Sequence, residues 1–130
     1  MRLLLDTHAW LWRLLDPERM SADAHAAVAD RDSELFLSPI SVWETLVLAR
    51  KGRLSLTPSP REWVLEAVRR SAPTAALLTY GIALRSEELV GFGSEDPADR
   101  FLVGTALEHD LTVVTADSAM HEFAPLATLW

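Results

Sequence analysis

Five carboxylates stand out by where they fall in the chain. Asp6 closes the apolar run Leu3-Leu4-Leu5. Glu44 lies inside the apolar series Ile40-Ser41-Val42-Trp43-Glu44-Thr45-Leu46-Val47-Leu48. Asp96 and Asp99 share the tetrapeptide Asp96-Pro97-Ala98-Asp99, and Asp117 follows the β-prone run Leu111 to Thr115. Asp6, Glu44, Asp99 and Asp117 thus belong to four different elements that can converge at one sheet edge. Like charges about 4 Å apart repel by roughly 4 kcal/mol at an effective dielectric near 20. Such a cluster raises its own pKa values unless a cation neutralises it. Oxygen-only ligands select hard cations, Mg²⁺ or Mn²⁺, and Mg²⁺ keeps several waters and works with phosphate substrates. The chemistry this implies is metal-assisted phosphodiester hydrolysis.

Each acid also has a plainer role. Asp6 and Asp117 stand where an aspartate caps the next helix. Asp96 is a good N-cap, Pro97 suits the first helical position and Asp99 the third, as in a capping box. Acids in a first helical turn also favour the helix dipole. Glu44 is the one that capping does not explain. Its neighbours at i−4, i+3 and i+4 are Ile40, Val47 and Leu48, and no basic residue stands three or four positions away. A carboxylate beside an apolar stripe is costly unless paired or bound to a cation.

The elements that must position these acids follow from pattern and punctuation. Arg2 to Leu5 reads as a short buried strand and Thr7 to Leu15 as a helix broken at Asp16-Pro17. Ser21 caps a helix to about Ala29, and Leu35 to Leu37 is a second strand. Ser38-Pro39 opens a helix to about Lys51, with Gly52 as its stop. Leu54 to Pro60 is a loop, and Arg61 to Ser71 an amphipathic helix. Ala75 to Leu78 reads as a strand, and Thr79 caps a helix to about Leu89. Val90 to Glu95 is a loop, Pro97 to His109 a helix, Leu111 to Thr115 a strand, Asp117 to Phe123 a short helix and Leu126 to Trp130 an edge strand. Alternating strands and helices predict an α/β fold with a mainly parallel sheet covered on both faces. Sites in such sheets lie beyond the carboxyl ends of the strands.

The 130 residues, 49% of them hydrophobic, suit one domain with one core. No linker, repeat or low-complexity tract divides residues 1–130. Cysteine is absent, which excludes disulfides and thiolate metal sites and fits a reducing compartment. Three leucines before Asp6 are too few for a signal-peptide core, and no apolar run reaches the length of a membrane span, so a cytoplasmic protein is expected. A net charge of −7 argues against gripping nucleic acid by bulk electrostatics, but clustered site carboxylates account for part of it.

Taken in order, these segments resemble a known family. Leu3-Leu4-Leu5-Asp6-Thr7-His8 resembles the opening strand and first acid of PIN domains. Ser38-Pro39-Ile40-Ser41-Val42-Trp43-Glu44 resembles their second-acid helix. Asp96-Pro97-Ala98-Asp99-Arg100 resembles the "DPFDR" helix of VapC-type toxins, and Leu111 to Asp117 the final strand and its acid. The order holds along the whole chain. The resemblance implies a three-layer α/β/α PIN-like fold, a homodimer, RNA cleavage and inhibition by a cognate antitoxin. By position, Asp6, Glu44 and Asp99 match the three principal acids and Asp117 the more variable fourth. Asp96 matches a frequent extra acid, auxiliary to the site, for which capping alone is one role. Thr115 matches a small polar residue whose hydroxyl could hold a metal-bound water, and Thr7 could do the same. Gly91 to Glu95 and Ala98 depart from the pattern, where relatives carry basic and aromatic residues.

On this reading Asp6 and Asp99 bind Mg²⁺ directly or through water, and Glu44 and Asp117 complete the cage. Glu44 or Asp117 takes the proton of the attacking water. Candidate RNA contacts are Arg100, Arg13, Arg50 and Lys51, although cations at a helix C-terminus such as Arg50 and Lys51 also suit the dipole. Trp10, Trp43 and Trp63 sit on apolar stripes and are assigned to core or dimer contact. The rivals are a phosphatase with an aspartyl nucleophile, a receiver-type domain and a non-enzymatic PIN-like interaction module. The first lacks a second acid two positions after Asp6. The first two need a phosphate-binding loop lysine, and the only lysine, Lys51, falls at a helix end.

Overall fold

The computed structural model describes residues 1–130. Its centre is β1 (Arg2–Leu5), in which Leu3, Leu4 and Leu5 are wholly buried. A strand apolar on both faces belongs inside a parallel sheet. It pairs in parallel with β2 (Glu34–Leu37) on one side and β4 (Thr112–Val114) on the other. The short strands β3 (Thr74–Ala75) and β5 (Thr128–Leu129) add to the edges, giving the order β3-β2-β1-β4-β5. Every pairing is parallel, so the sheet is more uniform than the sequence pattern predicts.

Seven helices connect these strands: α1 (Thr7–Leu15), α2 (Ala22–Ala29), α3 (Pro39–Arg50), α4 (Pro60–Ser71), α5 (Tyr80–Glu87), α6 (Pro97–His109) and α7 (Ser118–Glu122). A 3-10 turn at Pro17–Arg19 follows the break expected at Asp16-Pro17. Alternation along β1 sorts the helices into two layers. Leu3 and Leu5 pack with Trp10, Leu11, Ala24, Val28, Val64 and Ala67 from α1, α2 and α4. Leu4 points the other way, into Leu102, Val103 and Ala106 of α6 with Met120 of α7. The result is the three-layer α/β/α arrangement expected for a PIN-like fold.

Local chemistry sets most boundaries. Asp6, Ser21, Ser38, Ser59, Thr79, Asp96 and Asp117 each cap the following helix with a side-chain oxygen. Gly52 ends α3 at φ 74°. The strand expected over Ala75 to Leu78 is instead Thr74–Ala75, and Leu77 and Leu78 are exposed. The last strand is likewise only Thr128–Leu129. Edge strands need few ladder bonds to close a sheet, so composition overstates their length.

The α5–α6 crossing depends on Gly104. A Cβ there would meet Ser86 Oγ at 2.3 Å, Ser86 N at 3.1 Å and the Ile82 carbonyl oxygen at 3.2 Å. The Ser86 hydroxyl can turn away only by giving up its bond to the Ile82 carbonyl, and the two backbone atoms stay in tight contact. Gly104→Ala is expected to lower stability by about 1–3 kcal/mol through overpacking, read as a fall in the urea midpoint. An unchanged midpoint would show that the helices separate without cost.

Candidate functional site

The register of the sheet delivers the acids. Leu5 pairs with Leu37 and Val114. The next residues, Asp6, Ser38 and Thr115, therefore leave three neighbouring strands at one level. Connections from β1 and β4 run to opposite sides of the sheet, which opens a crevice between their carboxyl ends. A hollow of about 380 Å³ opens here, lined by Asp6, Thr7, His8, Trp12, Glu44, Asp96, Asp99, Leu102, Ala116 and Asp117. All five acids singled out in the sequence share it.

Capping and cleft-lining prove compatible. Asp6 accepts from the Ala9 amide through Oδ1 at 2.7 Å and from the Thr115 hydroxyl through Oδ2 at 2.5 Å. Asp96 accepts from the Ala98 amide and Asp117 from the Met120 amide, both at 3.0 Å. One oxygen of a carboxylate is enough for a cap, so the plainer reading removes none of these acids from the cleft.

The hydroxyls between the acids are already committed. Thr115 Oγ1 donates to Asp6 and accepts from the Asp117 amide at 3.0 Å. It ties two of the acids together rather than waiting for a metal-bound water. Thr7 donates to Glu44 Oε1 at 2.5 Å, and its oxygen lies 3.1 Å from the Ser41 hydroxyl. Thr7 has one proton to give; with that proton on Glu44, its lone pair is free to accept from Ser41. Ser94 donates to Asp99 Oδ2 at 3.0 Å. Ser41 and Ser94 escaped notice in the sequence. Ser41 lies one turn before Glu44 on the same helix face, a spacing that could have marked it.

The electrostatics are those of an uncompensated cluster. Burial pushes the Asp6 carboxyl up; the Thr115 and Ala9 hydrogen bonds and His8 oppose the rise, and Asp117 adds to it. Burial also raises Glu44, against the Thr7 bond, with Asp96 and Asp6 contributing repulsion. Asp99 is pushed up to about 6, first by burial and then by Asp96, Asp117 and Glu44. No lysine or arginine lines the cleft.

The basic residues expected to contact RNA lie elsewhere. Arg13 lines a different hollow, against Trp63, Glu66 and Arg70 of α4, where burial lowers its pKa. Arg50 and Lys51 stand exposed at the far end of α3. Arg100 turns away from the acids and donates to the carbonyls of Ser86 and Ser94, both at 3.1 Å. It braces the loop whose Ser94 holds Asp99. Helix position alone did not reveal these directions. Of the tryptophans, Trp10 is wholly buried and Trp63 packs edge-on against it at 6.0 Å, but Trp43 is 57% exposed and is no core residue.

The donor set fits a hard divalent cation in chemistry: it is all oxygen, negatively charged and unpaired. It does not form a closed cage. No three Asp, Glu or His side chains stand close enough to hold one ion between them. The four-acid cage expected from the sequence is therefore corrected to a wider cradle, suited to an ion that keeps several of its waters.

This fold and acid cleft define a class, and the PIN domain family model matches residues 3–125. The chain belongs to the PIN-domain family. It is 32% identical over 133 residues to Ribonuclease VapC22 of Mycobacterium tuberculosis, covering 98% of each. Among solved structures it is similar to VapBC2 from Rickettsia felis bound to a promoter DNA fragment, with TM-score 0.74, 15% identity and coverage of 100% and 99% of the two chains. A toxin–antitoxin complex from Klebsiella pneumoniae superposes with TM-score 0.66 at 20% identity, over 97% of this chain and 96% of that one. No helix is long and apolar enough to cross a membrane.

Proposed function

We propose that residues 1–130 form one Mg²⁺-dependent endoribonuclease domain, with Mn²⁺ able to substitute, acting as the toxin of a toxin–antitoxin pair. The observation that carries this reading is the meeting of Asp6, Glu44, Asp99 and Asp117 in one cleft that no lysine or arginine lines. Clustered carboxylates without a cation destabilise a fold, so their retention calls for a ligand that neutralises them. The ribonuclease relative over the full chain favours RNA as the substrate. Hydrolysis by water needs no 2′-hydroxyl, so the chemistry by itself does not choose between RNA and DNA.

A divalent cation in this cradle supplies charge neutralisation and Lewis-acid polarisation of the scissile phosphate. Asp6 and Asp99 hold it, directly or through water, and Glu44 and Asp117 complete the negative field around it. Thr115 fixes Asp6, and Ser94 fixes Asp99. Glu44 is the better placed to take the proton of the attacking water. Burial lifts its basicity, and its Oε2 has no protein partner while Thr7 holds Oε1. Asp117 is the other candidate, and Asp96 remains a cap whose charge adds to the field.

The test is cleavage of total RNA and tRNA by purified, antitoxin-free protein, with Mg²⁺ or Mn²⁺ against EDTA. Metal-dependent cutting is expected. Neither cutting nor calorimetric metal binding would overturn the enzyme reading and favour a PIN-like interaction module. Thr115→Val probes the support of Asp6: it removes one charge-assisted hydrogen bond and leaves the Asp117 amide without its acceptor. Cleavage is expected to fall about 10-fold, with weaker metal binding. Full activity would mean that Asp6 needs no brace.

The antitoxin and a second copy of the chain are the protein partners in this reading. The similar solved structure named as a toxin–antitoxin complex supports the first. Exposed Leu77, Leu78, Tyr80, Leu84 and Val90, on and beside α5, offer apolar surface for the second. Light scattering decides it, since a monomer at tens of micromolar protein would exclude a stable homodimer.

A further inference from the structure

The cleft presents a problem for a nuclease. Its acids repel phosphate, and no lysine or arginine lines it to hold the strand. What it offers beside the acids is aromatic: His8 and Trp12, one turn apart on α1, both line the hollow. Their rings lie 5.6 Å apart, and His8 is exposed. Behind them Trp12 meets Trp130 at 5.5 Å, and the Arg19 guanidinium sits over the Trp12 ring at 4.7 Å. These contacts hold Trp12 in place and leave the His8 ring as the free face of a braced aromatic wall.

Such a wall recognises a nucleobase. Every base has a π-face, and stacking on aromatic side chains is one of the ways unpaired bases are held. A base inside a duplex has both faces covered and cannot reach His8. Resting on the nuclease reading above, we infer that His8, backed by Trp12, is the stacking platform for an unpaired base of single-stranded RNA next to the scissile phosphate. Substrate is then held by stacking at this wall and by the cation in the cradle, with little contribution from basic side chains. The −7 net charge is compatible with this division of labour.

The experiment uses the full chain with Ca²⁺ in place of Mg²⁺, with oligo(A) and oligo(U) 12-mers as probes, tryptophan fluorescence as the readout and intact probe length checked after each titration. Cleavage of tRNA in Mg²⁺ is followed in parallel. His8→Ala is expected to weaken oligo(A) binding about 10-fold and to raise KM more than it lowers kcat. It is also expected to narrow the preference for oligo(A), whose base stacks more strongly. His8→Phe keeps an aromatic face without the ring nitrogens, so it is expected to bind as the unaltered protein does. Calorimetric metal affinity should be the same in both variants. If His8→Ala binds and cleaves normally, or if His8→Phe fails as His8→Ala does, the stacking inference is overturned while the nuclease reading stands. If the unaltered protein binds neither metal nor RNA, both fall together.

Discussion

Asp6→Asn is expected to reduce metal-dependent RNA cleavage by about 100- to 1,000-fold, the scale of losing several kcal/mol of transition-state charge stabilisation. The expectation follows from where Asp6 sits. It leaves the end of the central strand and is only 8% exposed, with both oxygens hydrogen-bonded. An asparagine is the same size and keeps an oxygen for the Ala9 amide, so α1 retains its cap. What disappears is the charge and, with it, the acceptor for the Thr115 hydroxyl, which then faces the amide NH2 and must accept from it. Calorimetry should show Mg²⁺ affinity falling with activity, and circular dichroism should show the fold intact. Cleavage that persists in Asp6→Asn with its metal dependence unchanged would place the catalytic ion elsewhere. That result would also detach Thr115 from the mechanism, because its bond to Asp6 is what brings it there.

Much of this was legible in the sequence, for reasons that can be stated residue by residue. The caps at Ser21, Ser38, Thr79 and Asp96 are local chemistry, and local chemistry survives folding. β1 is apolar on successive residues because it is covered on both faces, and that pattern announces a central parallel strand. Asp6, Asp99 and Asp117 could be placed at one edge because each follows a strand or sits early in a helix, and Glu44 because a mid-helix carboxylate beside an apolar stripe needs a partner. Directions were not legible. Arg100 follows Asp99, yet the two diverge on the helix: Asp99 enters the cleft and Arg100 reaches back to α5. Arg13 and Trp12 are adjacent in α1 and face different hollows. Trp43 has apolar neighbours on its helix but turns outward, because α3 buries its small polar residues Ser41 and Thr45 instead. The sequence pattern assumed that the apolar side of α3 is its inner side. Ser41 lies inside beside the Thr7 hydroxyl that holds Glu44, while Val42, Leu46 and Leu48 of the same helix still pack against the core, so α3 buries a mixed face.

Asp99→Asn should stabilise the metal-free protein while it disables cleavage. Asp99 rises from 3.8 to about 6 because it is partly buried among Asp96, Asp117 and Glu44. A raised carboxylate pKa means that the folded state binds its proton more tightly than the unfolded chain does. The ionised form therefore costs stability, beginning as pH rises past the unfolded value near 4 and reaching its full extent above about 6. The shift corresponds to about 3 kcal/mol, which solvent screening of this half-exposed group reduces to about 1 kcal/mol. In EDTA at pH 7.5, Asp99→Asn should melt about 3–5 °C above the unaltered protein. At pH 4 most of that difference should vanish, since Asp99 is then protonated in the fold. The amide keeps an acceptor for Ser94, so the gain is electrostatic in origin. Adding Mg²⁺ should reverse the order at pH 7.5, because binding stabilises the unaltered protein by mass action and the variant far less. An equal melting difference at both pH values would show that charge repulsion is not its source. A difference erased by acid and inverted by Mg²⁺ would show that the fold tolerates this carboxylate for the sake of the cation it receives.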